Sequence, residues 1–67
     1  MNRRLRRNED LRKIVRYCHV NNKRFSLKYF KNKGGQFVWL AEIENIRFLE
    51  IFDEKMLHAL KRLASRL

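Results

Sequence analysis

The sequence predicts an α+β fold: a three-stranded antiparallel sheet, a C-terminal helix packed on one of its faces, and an N-terminal helix ahead of it. Three observations carry this. Residues 24–52 contain three short runs rich in β-branched and aromatic side chains, separated by Asn32-Lys33-Gly34-Gly35 and by Glu44-Asn45. Met56, Leu57, Leu60, Leu63, Ala64 and Leu67 then recur at helical spacing. No proline interrupts any of these segments. A chain of 67 residues makes a single domain, expected over 9–67, after a flexible arginine-rich arm over 1–8. So short a chain buries a small core, which favours a partner or a self-association surface.

In chain order, Asn8 or Asp10 can cap a first helix, and Glu9 and Asp10 suit its positive end. Leu11, Ile14, Val15 and Cys18 follow at helical spacing, so a helix is expected over 9–19. The alternation Ile14, Arg16, Cys18, Val20 also fits a strand, which would make the sheet four-stranded. Asn21-Asn22 breaks the element. Strands are expected over 24–31, 36–43 and 46–52, with glycines in the first turn available for positive φ. Asp53 is expected to cap the last helix.

Two-residue turns centred on Lys33-Gly34 and Glu44-Asn45 would set Phe30 opposite Phe37 and Leu40 opposite Leu49. Side-chain period two then sorts the sheet into two surfaces. One carries Phe25, Leu27, Tyr29, Val38, Leu40, Leu49 and Ile51, and matches the apolar stripe of the last helix. The other carries Ser26, Lys28, Phe30, Phe37, Trp39, Ala41, Phe48, Glu50 and Phe52. A slip of one residue in either turn would exchange the surfaces.

Charge narrows the function. There are 17 Lys and Arg against 7 Asp and Glu, a formal net charge of +10. Self-repulsion on that scale is tolerated where a polyanion neutralises it, and the positive potential steers encounter with one. Single-stranded DNA or RNA is the first expectation: unpaired bases stack on Phe30, Phe37, Trp39 and Phe48, while Lys23, Arg24, Lys28, Lys31 and Lys33 track the phosphates. Arg3, Arg4, Arg6 and Arg7 add an arm that would order on phosphate. Against this stands the ordinary alternative that the aromatic surface is buried, under the N-terminal helix or in a dimer.

Asn22-Lys23-Arg24-Phe25-Ser26-Leu27-Lys28, the turn Lys31-Asn32-Lys33-Gly34-Gly35-Gln36-Phe37, and Leu40-Ala41-Glu42-Ile43 together resemble a PUR repeat, the unit of the Pur-alpha family. Arg47 to Phe52 with the amphipathic helix after it resembles the end of such a repeat, so the likeness spans about residues 20–67. It implies a curved antiparallel sheet backed by one helix, and binding of purine-rich single strands through Lys23, Arg24, Lys28, Lys33 and Phe37. It also implies a homodimer, because two repeats interlock into the functional unit.

No catalytic constellation is present in the sequence. Cys18 and His19 are neighbours that point in different directions, and His19, His58 and Cys18 are too scattered for a zinc site. Gly34-Gly35 lacks the pattern of a nucleotide-binding loop. The expectation is a non-enzyme with no cofactor and no metal, in a regulatory role such as transcription regulation, or in an architectural one. Two alternatives share the charge: a double-stranded-RNA-binding module, and a small phage- or virus-type regulator docking on an acidic host protein. A membrane-surface role for the basic last helix is less favoured because the core needs that helix. A basic N-terminus with no apolar signal region after it suggests a cytoplasmic, nucleoid or nuclear location, or host cytoplasm for a viral protein.

Overall fold

The computed structural model describes residues 8–67, the side chain of Phe48 excepted. Its elements are α1 (Glu9–Val20), β1 (Phe25–Lys31), β2 (Phe37–Ile43), a 3₁₀ turn (Arg47–Leu49), β3 (Glu50–Asp53) and α2 (Met56–Ala64). The three strands form one antiparallel sheet in the order β1-β2-β3. The N-terminal segment is helical, so the strand alternative for 14–20 is set aside.

The ends of α1 are fixed by asparagines. The Leu11 N–H donates to Asn8 Oδ1 (2.9 Å), satisfying one of the free donors of the first turn. At the other end Asn22 is left-handed (φ 53°), the Lys23 N–H donates to the Cys18 carbonyl (2.8 Å), and the Asn22 N–H to that of His19 (3.4 Å). This is a Schellman closure with asparagine in the place glycine usually takes. Ile14 and Cys18 are buried and Leu11 and Tyr17 pack beside them, whereas Val15, placed on the apolar stripe by spacing, is exposed.

The first hairpin closes on a three-residue loop, not two. Asn32 donates its N–H to the Gln36 carbonyl (2.8 Å) and its carbonyl accepts from Gly35 (3.0 Å). Asn32 Oδ1 also accepts from the Gln36 N–H (3.0 Å). Gly35 is left-handed at φ 83°, the conformation that closes a three-residue loop, and Gly34 does not take positive φ. The pairing is therefore Lys31 with Phe37, Tyr29 with Trp39 and Leu27 with Ala41, one residue displaced from the two-residue expectation.

The second connection differs more. Asn45, but not Glu44, is left-handed (φ 67°), and the Ile46 N–H donates to the Ile43 carbonyl (3.2 Å). That is the pattern of a type II turn, which splays strands apart instead of continuing their twist. The chain therefore makes the 3₁₀ turn before it pairs, β3 starts at Glu50 and not Ile46, and Trp39 faces Asp53 and Ala41 faces Ile51. Both displacements are odd. Their combined effect leaves β1 and β3 facing as expected and turns β2 over.

Ala41 and Ile43 of β2 thus point at the helices with Leu49 and Ile51, against Ile14 and Cys18 of α1 and Ala59, Leu60, Leu63 and Ala64 of α2. Leu57, expected in the stripe, is exposed, and Ala59 takes a buried place instead. Six aliphatic side chains (Ile14, Ile43, Leu49, Ile51, Leu60 and Leu63) are essentially solvent-free; each contributes about 1.5–3 kcal/mol of burial. No described aromatic ring reaches that depth. Both helices pack on one side of the sheet, and the opposite side carries Ser26, Lys28, Phe30, Val38, Leu40, Glu42, Glu50 and Phe52.

Gly35→Ala should destabilise the chain by about 1–2 kcal/mol, because an added Cβ meets only the Lys31 Cε at 3.8 Å and the cost is the left-handed backbone alone. Gly34→Ala, whose Cβ lies 3.4 Å from Asn32 Oδ1 on an unstrained backbone, should change stability by less than about 0.5 kcal/mol. Urea unfolding midpoints compare the two, and equal costs would exclude the loop described.

Candidate functional site

The residues expected to form one aromatic surface fall on two. Turning β2 over puts Phe37 and Trp39 on the helix side of the sheet with Tyr29 and Lys31, and leaves Phe30, Lys28 and Phe52 on the outer side. Phe48 belongs to the 3₁₀ turn and not to a strand, and its side chain lies outside the described residues. So do Arg3, Arg4, Arg6 and Arg7 of the arm.

On the helix side, β1 and β2 run past the point where β3 ends. Asp53, the last residue of β3, pairs with Trp39, and Phe37 and Val38 extend beyond it. The core cannot cover this overhang, and an aromatic row stands on it. Tyr29 and Phe37 are stacked, with ring centroids 5.4 Å apart and planes 17° from parallel. Tyr29 and Trp39 follow at 4.8 Å, tilted by 43°. Tyr29 and Phe37 are each 54% exposed, while Trp39 is partly buried against the core and forms the foot of the row. Lys31 sits across from Phe37, and Lys33 projects from the loop, both exposed. Among the described residues no carboxylate lies within ion-pair distance of either.

The other cations behave differently. Glu42 of β2 and Glu44 of the turn after it come beside the basic stretch 23–28, which the linear sequence shows without any acid. Lys28 Nζ lies 3.5 Å from Glu42 Oε1, which also accepts from Ser26 Oγ (3.0 Å), and Arg24 Nε lies 3.8 Å from Glu44 Oε2. Arg24, Lys28 and Phe30 therefore do not join the row, and Lys23 follows the α1 closure at the far end of β1. Tyr29, assigned by alternation to the core, belongs to the row. No sequence signal marks it: the third strand, expected over 46–52, forms only over Glu50–Asp53, so the far end of the 7-residue β1 has no third strand beside its partner β2.

Asp53 anchors the foot of the row. It does not cap α2, which starts at Met56 after Lys55. Its Oδ1 accepts from the Lys55 N–H (3.0 Å), and its Oδ2 accepts from Arg62 Nη1 (3.2 Å), which also donates to the Phe52 carbonyl (3.0 Å). His58 Nδ1 stands 3.9 Å away. The Lys55 N–H, then Arg62 and His58, hold the Asp53 carboxyl below its ordinary value against the opposing push of partial burial. Burial raises the Cys18 thiol, a buried side chain of α1.

Among the described residues no helix is long and apolar enough to cross a membrane, and no group of three His, Cys, Asp or Glu side chains could hold a metal ion. Fold and surface together define a two-layer α+β protein with an aromatic, basic overhang on its hairpin. No family model, curated protein or solved structure matches the chain.

Asp53→Asn keeps an acceptor for Lys55 and removes the charge. Because the folded carboxyl sits below its unfolded value, its stabilisation is fully present above about pH 3.9 and is lost as pH falls through the lower folded value. The variant should therefore melt below the wild type at pH 6, and the gap should close towards pH 2. A gap independent of pH would mean that the charge contributes nothing.

Proposed function

We propose that the chain binds single-stranded nucleic acid on the hairpin overhang, unpaired bases stacking on Tyr29 and Phe37 while Lys31 and Lys33 hold the phosphates on either side. The observation that carries this is the stacked pair itself: two aromatic rings, each more than half open to solvent, on a chain of net charge +10. Exposed rings cost stability in a protein with so small a core, and base stacking is a sequence-tolerant use for them. Duplex DNA hides its base faces, so a ring ladder discriminates single strands from duplexes where charge alone does not. The role is to hold a strand, regulatory or architectural, without chemistry on it, and a cytoplasmic, nucleoid or nuclear location goes with that ligand. The likeness of residues 20–67 to a PUR repeat makes purine-rich strands the first to try.

The test is a titration of purine-rich and pyrimidine single strands and of a duplex, followed by Trp39 fluorescence and by anisotropy of labelled strands. Tyr29→Ala with Phe37→Ala should weaken single-strand binding by about tenfold or more at about 1–3 kcal/mol per lost stack, and should leave duplex binding nearly unchanged. Lys28→Ala, whose lysine is tied to Glu42 on the outer face, should leave single-strand binding within about twofold. If the double variant binds single strands as the wild type does, stacking is not the mechanism.

A further inference from the structure

The outer face of the sheet, which neither helix covers, differs from the rest of the molecule in two respects. Its centre is apolar where an open antiparallel face is normally polar. Val38 and Leu40 of the middle strand point outward, Phe30 and Phe52 meet edge to face over them (6.2 Å, 74°), and Val38 is only 7% exposed under that roof, while Phe30 and Phe52 are 37% and 50% exposed. Its charge is also reversed. The chain as a whole has 17 bases against 7 acids, but this face carries one base, Lys28, and two acids, Glu42 and Glu50.

We infer that the outer face is a two-fold interface with a second copy of this chain, sheet against sheet. Nucleic acid is disfavoured there by Glu42 and Glu50. Between two monomers of charge +10 it is the one described sheet surface on which repulsion is locally cancelled. The charges also select the axis. Lys28 lies on the β1 edge and Glu50 on the β3 edge of the order β1-β2-β3. A two-fold along the middle strand lays each β1 over the partner's β3, setting Lys28 towards the partner's Glu50 and Phe30 towards the partner's Phe52. A two-fold across the strands would lay each β1 over the partner's β1, whose outward side chains offer Lys28 no carboxylate.

In the favoured arrangement the paired rows are offset by one step, about 7 Å along the strand, which lysine and glutamate side chains can span. Two strands of 7 residues and one of 4 cover at most roughly 14 by 23 Å. An interface of that size belongs to the small, weak class, so a dissociation constant in the micromolar range is expected.

Sedimentation equilibrium from about 5 to 500 μM, free of nucleic acid, tests this at two salt concentrations. Dimer should form at the upper end, and added salt should strengthen it, because screening relieves the repulsion between monomers. Strand binding weakens with salt, so the two responses have opposite sign. Glu50→Lys and, separately, Phe52→Ser should each weaken the dimer at least tenfold with an unchanged circular-dichroism spectrum; the Phe52 contact to Arg62 is through its backbone carbonyl and survives the substitution. Tyr29→Ala with Phe37→Ala should leave dimerisation untouched, so loss of strand binding and loss of the dimer are separable. A monomer throughout this range, a dimer indifferent to both outer-face variants, or one that salt dissolves would each overturn the inference.

Discussion

The closure of Asn32 on Gln36 decides what both faces of the sheet are for. Three hydrogen bonds and one left-handed glycine make the loop three residues long, and a sheet has side-chain period two, so loop length sets which side of β2 meets the helices. The chosen side is the one that can be buried. It turns Ala41 and Ile43 inward and lets two small residues of α2, Ala59 and Ala64, share the same core. The opposite choice would turn Glu42 under the helices, where a carboxylate has no partner and its burial is costly. Facing outward, Glu42 accepts from Ser26 and pairs with Lys28.

That same glutamate was the legible signal for the register. Helices, strands, their order and the buried stripe of α2 follow from periodicity, caps and turn residues, because each is a local property of a few neighbouring side chains. Facing is not local. Asn32-Lys33-Gly34-Gly35 admits a two- or a three-residue loop, and only the cost of burying Glu42 separates them. The second connection was harder to read, since Glu44-Asn45 looks like a hairpin turn until Asn45 alone takes positive φ. Asp53 was read as a cap from its place before the last helix. It serves that start from two residues before the cap position, through Lys55 and Arg62.

The candidate site was legible as a composition and not as a geometry. Lysines and aromatic rings of the first hairpin are the residue types of the candidate row, but alternation spread them over one face when the turned β2 divides them between two. Tyr29 was missed because alternation tells which side a residue faces and not whether anything lies behind it. What exposes it is the short third strand: β3 ends at Asp53, the sheet has no third strand beyond Trp39, and Phe37 and Tyr29 stand on the overhang.

The division has a physical consequence for how charge is used. An anion would relieve the self-repulsion of a chain of +10, and the overhang offers lysines with no described carboxylate beside them. The outer face offers the reverse, an apolar centre with acids near it, and so suits a surface that is itself cationic. Aliphatic side chains occupy the solvent-free core, while Tyr29 and Phe37 stand exposed on one of these surfaces and Phe30 and Phe52 on the other. A two-fold along β2 would keep both hairpin tips at the same end of the assembly, because rotation about that axis preserves direction along the strand. The two aromatic rows would then face away from each other across the paired sheets. One strand could reach both only by passing over the loop ends, where Lys33 of each copy projects, so occupancy of one row would place phosphates beside the lysine that serves the other.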